Sequence, residues 1–272
     1  LSDVRLLNSL NLSMTLISSG GFLPTDKLDE IIFTNFQLIS ISIAFIISIL
    51  NFYLFYNLVF GRDKIKQHLE DFYIFIMVLI FSSIFYFLNN QNILYVIINT
   101  LSSIGTSGIS IIDVPDNFSL YFIILTLFGG AVLSNTSGIK FMRFYILIKA
   151  FLIEINKLVK PNVIMNVKLL LSEKKINSDN IKMSFLIFIF FFLSLFILSS
   201  ILLLDVLDFE NSFKLSILTL TNTVNSNIYG IDKINFSEFI TFSKISLIIF
   251  MLIAKIELIT IFILIQKFFI KD

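Results

Sequence analysis

The sequence predicts an all-α membrane protein made of repeated helix–re-entrant loop–helix units, and three observations predict it. The 272 residues are 57% hydrophobic and 14% charged, with a mean hydropathy of +0.94, whereas a soluble domain carries about 25% charged residues. Long uncharged stretches recur along the chain. Three stretches also repeat one plan: a short apolar segment turns hydroxyl-rich, reaches glycine and exits toward acid.

Several function classes are excluded at this level. A net charge of +1 offers no basic surface for nucleic acid. There is no cysteine, hence no disulfide framework, thiol nucleophile or cysteine metal site. The sole histidine, His68, falls in a charged connecting turn and reads as a solvated side chain. No metal constellation, acid–base dyad or Ser-His-Asp set is legible, so an enzyme is not expected. The first ten residues do not read as a cleaved leader, because Asp3 and Arg5 interrupt any apolar core. The natural polypeptide is expected to extend upstream.

The elements follow in order. Residues 31–61 carry no charge and read as one span. Residues 72–112 are also uncharged but too long for one helix, with Asn89, Asn90, Gln91 and Asn92 at the centre. They read as a spanning helix over 72–88 and a short segment, 93–104, that enters the membrane without crossing. Residues 119–152 form a span broken at Gly129-Gly130 and at Ser134–Gly138. Residues 183–204 form an uninterrupted span, 212–225 a second short hydroxyl-rich segment, and 237–268 a last span interrupted by Lys255 and Glu257. Asn51 reads as a packing polar group within the first span.

Lysine and arginine set the orientation. Arg62, Lys64 and Lys66, then Lys157, Lys160, Lys168, Lys174, Lys175 and Lys182, then Lys267 and Lys271, mark three cytoplasmic regions. Asp26, Asp29, Glu30, Asp113, Asp116, Asp232 and Glu238, against Lys27 and Lys233, mark the external side. The two sets stay on opposite sides only if the short segments are re-entrant.

The repeated stretches are Asn11–Phe22 followed by Asp26, Asn99–Ile109 followed by Asp113, and Asn222–Ile231 followed by Asp232. Non-helical backbone survives at membrane depth only where it is buried or lines water. Glycine admits positive φ and close approach. Inward carbonyls replace an ion's hydration shell, external carboxylates concentrate cations, and helix C-termini aim partial negative charge inward. Together these favour a monovalent cation. Small-residue clusters also serve helix packing, which is the alternative for any single glycine pair. Three copies of the same polarity favour the loops.

These residues resemble the TrkH/KtrB potassium transporters. Ser18-Ser19-Gly20-Gly21-Phe22 is similar to that family's Thr-Gly-Gly-Phe filter loop, and Thr106-Ser107-Gly108-Ile109 to its Thr-Thr-Gly-Phe counterpart. The stretch from Gly129-Gly130 through Ser134, Asn135, Thr136, Ser137 and Gly138 to Ile139-Lys140 resembles its Gly-Gly-x3-Gly-Ser-Thr-Ala-Gly-Gly-Ile-Lys motif. Met251–Glu257 resembles Met-Leu-x-Gly-Arg-x-Glu, with Lys255 for arginine and Ala254 for glycine. Gly105 stands where the family has threonine, and Ser137 replaces a motif glycine. The last filter loop matches least: Ile228-Tyr229-Gly230 is placed there with Tyr229 in the glycine position and Gly230 displaced by one.

The resemblance implies four such repeats around one pore. On this plan residues 1–61 are the second repeat without its first helix, 62–153 the third, 154–182 a cytoplasmic linker and 183–272 the fourth. Three loops do not close a four-fold ring, so the chain is a fragment or the remainder is supplied separately. Ser18, Ser19, Gly20, Gly21, Thr106, Ser107, Gly108, Ile228, Tyr229 and Gly230 are the implied filter. Gly129, Gly130, Ser134–Gly138, Lys140 and Lys255 are the implied gate, with Lys255 reaching a gate-loop carbonyl or else snorkelling toward the cytoplasm. Lys140 and Arg143 read as positive-inside anchors or as residues that bias the gate.

The implied function is potassium uptake across a bacterial inner membrane by a multi-pass homodimer. Potassium is the substrate, and no cofactor sits on this chain. A TrkA/KtrA-like regulatory ring would carry the nucleotide, and the remaining contacts are with membrane lipid. A less selective potassium/sodium transporter and a decayed, non-transporting membrane protein are the alternatives.

Overall fold

A computed structural model of the chain describes residues 4–23, 25, 28–61, 69–89, 91–111, 115–160, 178–205, 207–223, 227–231, 234 and 236–255. Among them the regular structure is helical: α1 (Leu6–Ser18), α2 (Asn35–Ile49), α3 (Phe52–Phe60), α4 (Leu69–Asn89), α5 (Ile93–Ile104), α6 (Ser119–Leu127), α7 (Phe141–Val159), α8 (Ser178–Leu202), α9 (Phe209–Thr221) and α10 (Thr241–Lys255). Two short parallel strands, β1 (Phe128–Gly129) and β2 (Ile139–Lys140), pair across the break between α6 and α7. Several expected charges lie outside the described residues: Arg62, Lys64, Lys66, His68, Lys168, Lys174, Lys175, Lys267, Lys271, Asp26, Lys27, Asp113, Asp232, Lys233 and Glu257. So do Asn90 and the side chains of Asp29 and Asp116.

Two kinds of helix follow from two kinds of sequence. α4 and α8 are long and apolar enough to cross a membrane, and the bent pair α2–α3 adds a third if counted as one span. Their outward faces are apolar, with Phe72, Leu79 and Phe87 on α4 and Phe185 and Phe196 on α8 all exposed. Such a belt suits lipid, which hydrates no backbone, so that the helix must satisfy itself internally. α5 and α9 are the opposite. Every residue from Ile98 to Ile104 and from Leu215 to Thr221 is buried. Several of their hydroxyls donate to carbonyls one turn back, as in Thr100 to Val96 (3.0 Å), Ser216 to Ser212 (2.7 Å) and Thr219 to Leu215 (2.7 Å).

The packing repeats with the chain. α1 lies on α2, α5 lies between α4 and α6, and α9 lies between α8 and α10. α5 also touches α2, and α9 touches α6, so the three short helices stand side by side around one centre.

The expected single span over 31–61 is instead two helices, α2 and α3, bent by 101°. A capping box starts α2: Thr34 Oγ1 accepts from the Gln37 N–H (3.3 Å), and Gln37 Oε1 accepts from the Thr34 N–H (3.1 Å). The bend falls at Asn51, which is a helix cap and not a packing group. Its Oδ1 accepts from the Tyr53 N–H (2.9 Å), and its own N–H donates to Asp71 Oδ1 (2.7 Å). The expected span over 119–152 is α6 and α7 with residues 128–140 between them, and the described part of the last span ends at Lys255.

Candidate functional site

Three helix C-termini build the centre in the same way. After α1, Ser19 is left-handed (φ 52°) and the Gly20 N–H donates back to the Thr15 carbonyl at 2.9 Å. After α5, Thr106 is left-handed (φ 50°) and the Ser107 N–H donates to Ser102 at 3.0 Å. After α9, Asn222 is left-handed (φ 57°) and the Thr223 N–H donates to Leu218 at 2.8 Å. Each bond reaches five residues back, the helix-ending pattern that glycine usually serves. These are the only non-glycine residues of positive φ among the described residues. A side chain in that region is strained, most of all a β-branched one such as Thr106.

The turns are nested by glycine. Gly21 (φ 73°) and Gly108 (φ 66°) occupy the same position, two residues past the left-handed one. A β-carbon on Gly21 would strike the Ser107 carbonyl oxygen of the next turn. A β-carbon on Gly108 would come within 3.1 Å of the Thr223 carbonyl oxygen of the turn after that. Each glycine is thus seated on the neighbouring turn's carbonyl, at the residue that follows its left-handed one. Hydroxyls brace the turns: the Phe22 N–H donates to Thr15 Oγ1 (2.9 Å), Ser102 and Ser107 share a hydrogen bond (3.0 Å), and so do Thr221 and Thr223 (2.8 Å).

This register corrects the third loop. Thr221, Asn222 and Thr223 correspond to Ser18–Gly20 and to Gly105–Ser107, and Ile228-Tyr229-Gly230 does not join them. Ile228 and Tyr229 are buried, and the Tyr229 hydroxyl faces Ser103 and Thr223 from behind the turn. Gly230 (φ 57°) packs on Ser119 at the start of α6, and its carbonyl accepts from Lys214 (3.4 Å). Glycine is not required at this position: asparagine tolerates the left-handed region, and Asn222 carries the turn. Lys214 also pairs with Glu210 at 2.7 Å, and that hydrogen bond holds the exposed Glu210 carboxyl below its ordinary value.

The broken helix between α6 and α7 reaches all three turns. The Asn135 amide donates to the Ile17 carbonyl (2.9 Å), the Ser137 N–H donates to Thr106 Oγ1 (2.8 Å), and the Asn222 amide donates to Ser137 Oγ (3.0 Å). Lys255 on α10 donates to the Ser18 carbonyl (2.9 Å) and to the Asn135 carbonyl (2.8 Å), joining the first turn to the loop. Lys140 is buried and turns inward. It donates to the carbonyls of Ser134 (3.0 Å) and Thr136 (2.6 Å), so it closes the loop on itself and is not a surface anchor. Thr136 Oγ1 accepts from the Gly130 N–H (2.8 Å). Gly129 and Gly130 lie against the Ser137 and Ile49 carbonyls with no room for a β-carbon, and Gly138 (φ 76°) makes the return.

The chain is similar to one solved structure and to one curated protein. The chain superimposes on the crystal structure of the potassium transporter TrkH from Vibrio parahaemolyticus with a TM-score of 0.85, over 97% of this chain and 59% of that one, at 17% identity. The chain has the TrkH fold. It is also 26% identical over 247 residues to an uncharacterized cation transporter of Methanocaldococcus jannaschii, which covers 85% of this chain. The chain spans about half the length of that relative (51%). No established family profile matches the chain.

Within the TrkH fold, a cavity of ≈ 720 Å³ opens beside the first turn, between Ser18–Phe22 and the α10 residues Lys244, Leu247, Met251 and Lys255. Sequence reasoning missed the turn residues Thr221–Thr223, of which the Asn222 amide also reaches the Met251 carbonyl (3.3 Å), and the adjacent acids Glu70 and Asp71. A usable signal existed for the acids, because an Asp–Glu pair in the first turn of an apolar helix sits where free N–H groups gather. No group of three or more metal-ligating side chains occurs among the described residues.

Proposed function

We propose that this chain forms the larger part of a potassium-uptake pathway of the TrkH type, with Ser18–Gly21, Thr106–Gly108 and Thr221–Thr223 as its filter turns and residues 128–140 as its gate. The nesting of Gly21 on Ser107 and of Gly108 on Thr223 carries the reading. A monovalent cation sheds water only if fixed carbonyls replace it at similar energy. Turns that brace one another at their carbonyl-bearing residues hold such dipoles without reorganisation. The loop hydrogen-bonds at each of the three turns, which supports its role as the gate, and Lys255 fixes it to the first turn. The larger assembly is a homodimer in a bacterial-type inner membrane. A cytoplasmic TrkA/KtrA-like partner binds the regulatory nucleotide.

One observation favours a second reading, a less selective potassium/sodium pathway. Where Gly21 and Gly108 stand in two turns, the chain after Thr223 continues into Val224, which lies outside the described residues. The full-length gene, expressed in a strain lacking potassium uptake, separates these readings. Growth at low potassium and rubidium uptake are expected. Uptake of sodium at a comparable rate favours the second reading. Membrane expression with no cation uptake at all leaves only a non-transporting membrane protein.

A further inference from the structure

The strongest unassigned feature is the pair of carboxylates at the start of α4. Glu70 Oε1 accepts from the Val132 N–H at 3.0 Å, and the same carboxylate faces the Met142 N–H. Val132 lies just inside the broken-helix loop, and Met142 lies in the first turn of α7, whose own cap residue Lys140 supplies no side-chain bond. One side chain from another helix therefore spans the mouth of the loop and caps α7 where free N–H groups favour an anion. Its neighbour Asp71 is buried and accepts from Asn51 at the bend between α2 and α3.

The bend and the loop are stitched directly as well. The Ala131 N–H donates to the Ile49 carbonyl (2.9 Å), and the Phe52 N–H donates to the Leu133 carbonyl (3.2 Å). Gly130 lies against Ile49 with no room for a β-carbon. Three separate elements thus meet at 130–133: the loop, the bend at Asn51 and the first turn of α4.

We infer that Glu70 is a positioning residue for the intramembrane loop, and that with Asp71 it locks the loop's base to the α2–α3 bend. The inference rests on the loop's assignment as a gate. Charge-assisted hydrogen bonds to buried N–H groups are the strong ones, and an N–H left without its partner is costly. Removing Glu70 therefore releases the base of the loop, while the filter turns, which Glu70 does not touch, keep their geometry.

The test uses the full-length protein in proteoliposomes. The 272 residues contain no cysteine, so a cysteine at the exposed Leu133 is a single probe within them. Glu70→Ala should raise both rubidium flux and the rate of thiol modification at position 133 by roughly tenfold, with the potassium/sodium ratio unchanged. Glu70→Gln, which keeps one acceptor oxygen and the shape, should fall between Glu70→Ala and the parent, and it serves if the alanine variant fails to fold. Unchanged modification in Glu70→Gln and Glu70→Ala overturns the inference. A folded variant whose selectivity changes, or whose flux falls without a rise in modification, overturns it too. A parent protein that passes no rubidium defeats the transport reading alone, since the modification rates still report the tether.

Discussion

Glycine 21 has a neighbour's carbonyl where its side chain would be, and that decides what substitution does there. Gly21→Ala combines positive φ with a collision on Ser107. It should cost roughly 1–3 kcal/mol of local strain, taken up by the turn that Ser107 belongs to. The expected outcome is a fall in potassium/sodium discrimination measured by paired uptake, with protein level retained. Gly61 is the control: it too has positive φ (61°), but among the described residues beyond its chain neighbours no atom lies within 4 Å of the site a β-carbon would take. Gly61→Ala should lower thermal stability by about 1 kcal/mol and leave discrimination untouched. Equal effects of the two would show that backbone strain matters and nesting does not.

At the scale of elements, the short buried helices were legible and three features were not. α5 begins and ends where its apolar run and hydroxyl-rich end put it, because a 12-residue apolar segment between asparagines and glycine is too short to cross. The bend at Asn51 was hidden, because an uncharged run carries no marker for a change of direction. Only the capping geometry of Asn51, and an acid 20 residues away, reveal it. The third turn is not flagged by glycine; its decisive feature is the hydrogen bond from the Thr223 N–H, just after the left-handed Asn222, to the carbonyl five residues back. The break at 128–140 was legible, and so was Lys255 as a partner of its carbonyls, but the other partners were not, since they come from elements distant in sequence.

The wedge after α9 carries its own prediction. Tyr229 ends a single helical turn, Asn227–Tyr229, and is fully buried. Tyr229→Phe keeps the volume and should preserve uptake. Tyr229→Gly empties the site, and a loss of roughly 3–5 kcal/mol should appear as lost membrane expression. A well-expressed Tyr229→Gly protein altered only in selectivity would return Tyr229 to the filter.

For the whole molecule, the ≈ 720 Å³ cavity lies beside the first turn and α10, and Lys255 of α10 bridges its edge to the Ser18 carbonyl. The seating of each glycine on the next turn also divides the centre into two classes of position. Ser, Thr and Asn all serve at the left-handed residue, so that site is permissive and can drift in identity while its backbone stays fixed. The glycine two residues on is locked by another segment of chain. Retuning such a centre, in nature or at the bench, must proceed by exchanging left-handed residues one at a time, while a change at a seated glycine demands a matching retreat one turn further round.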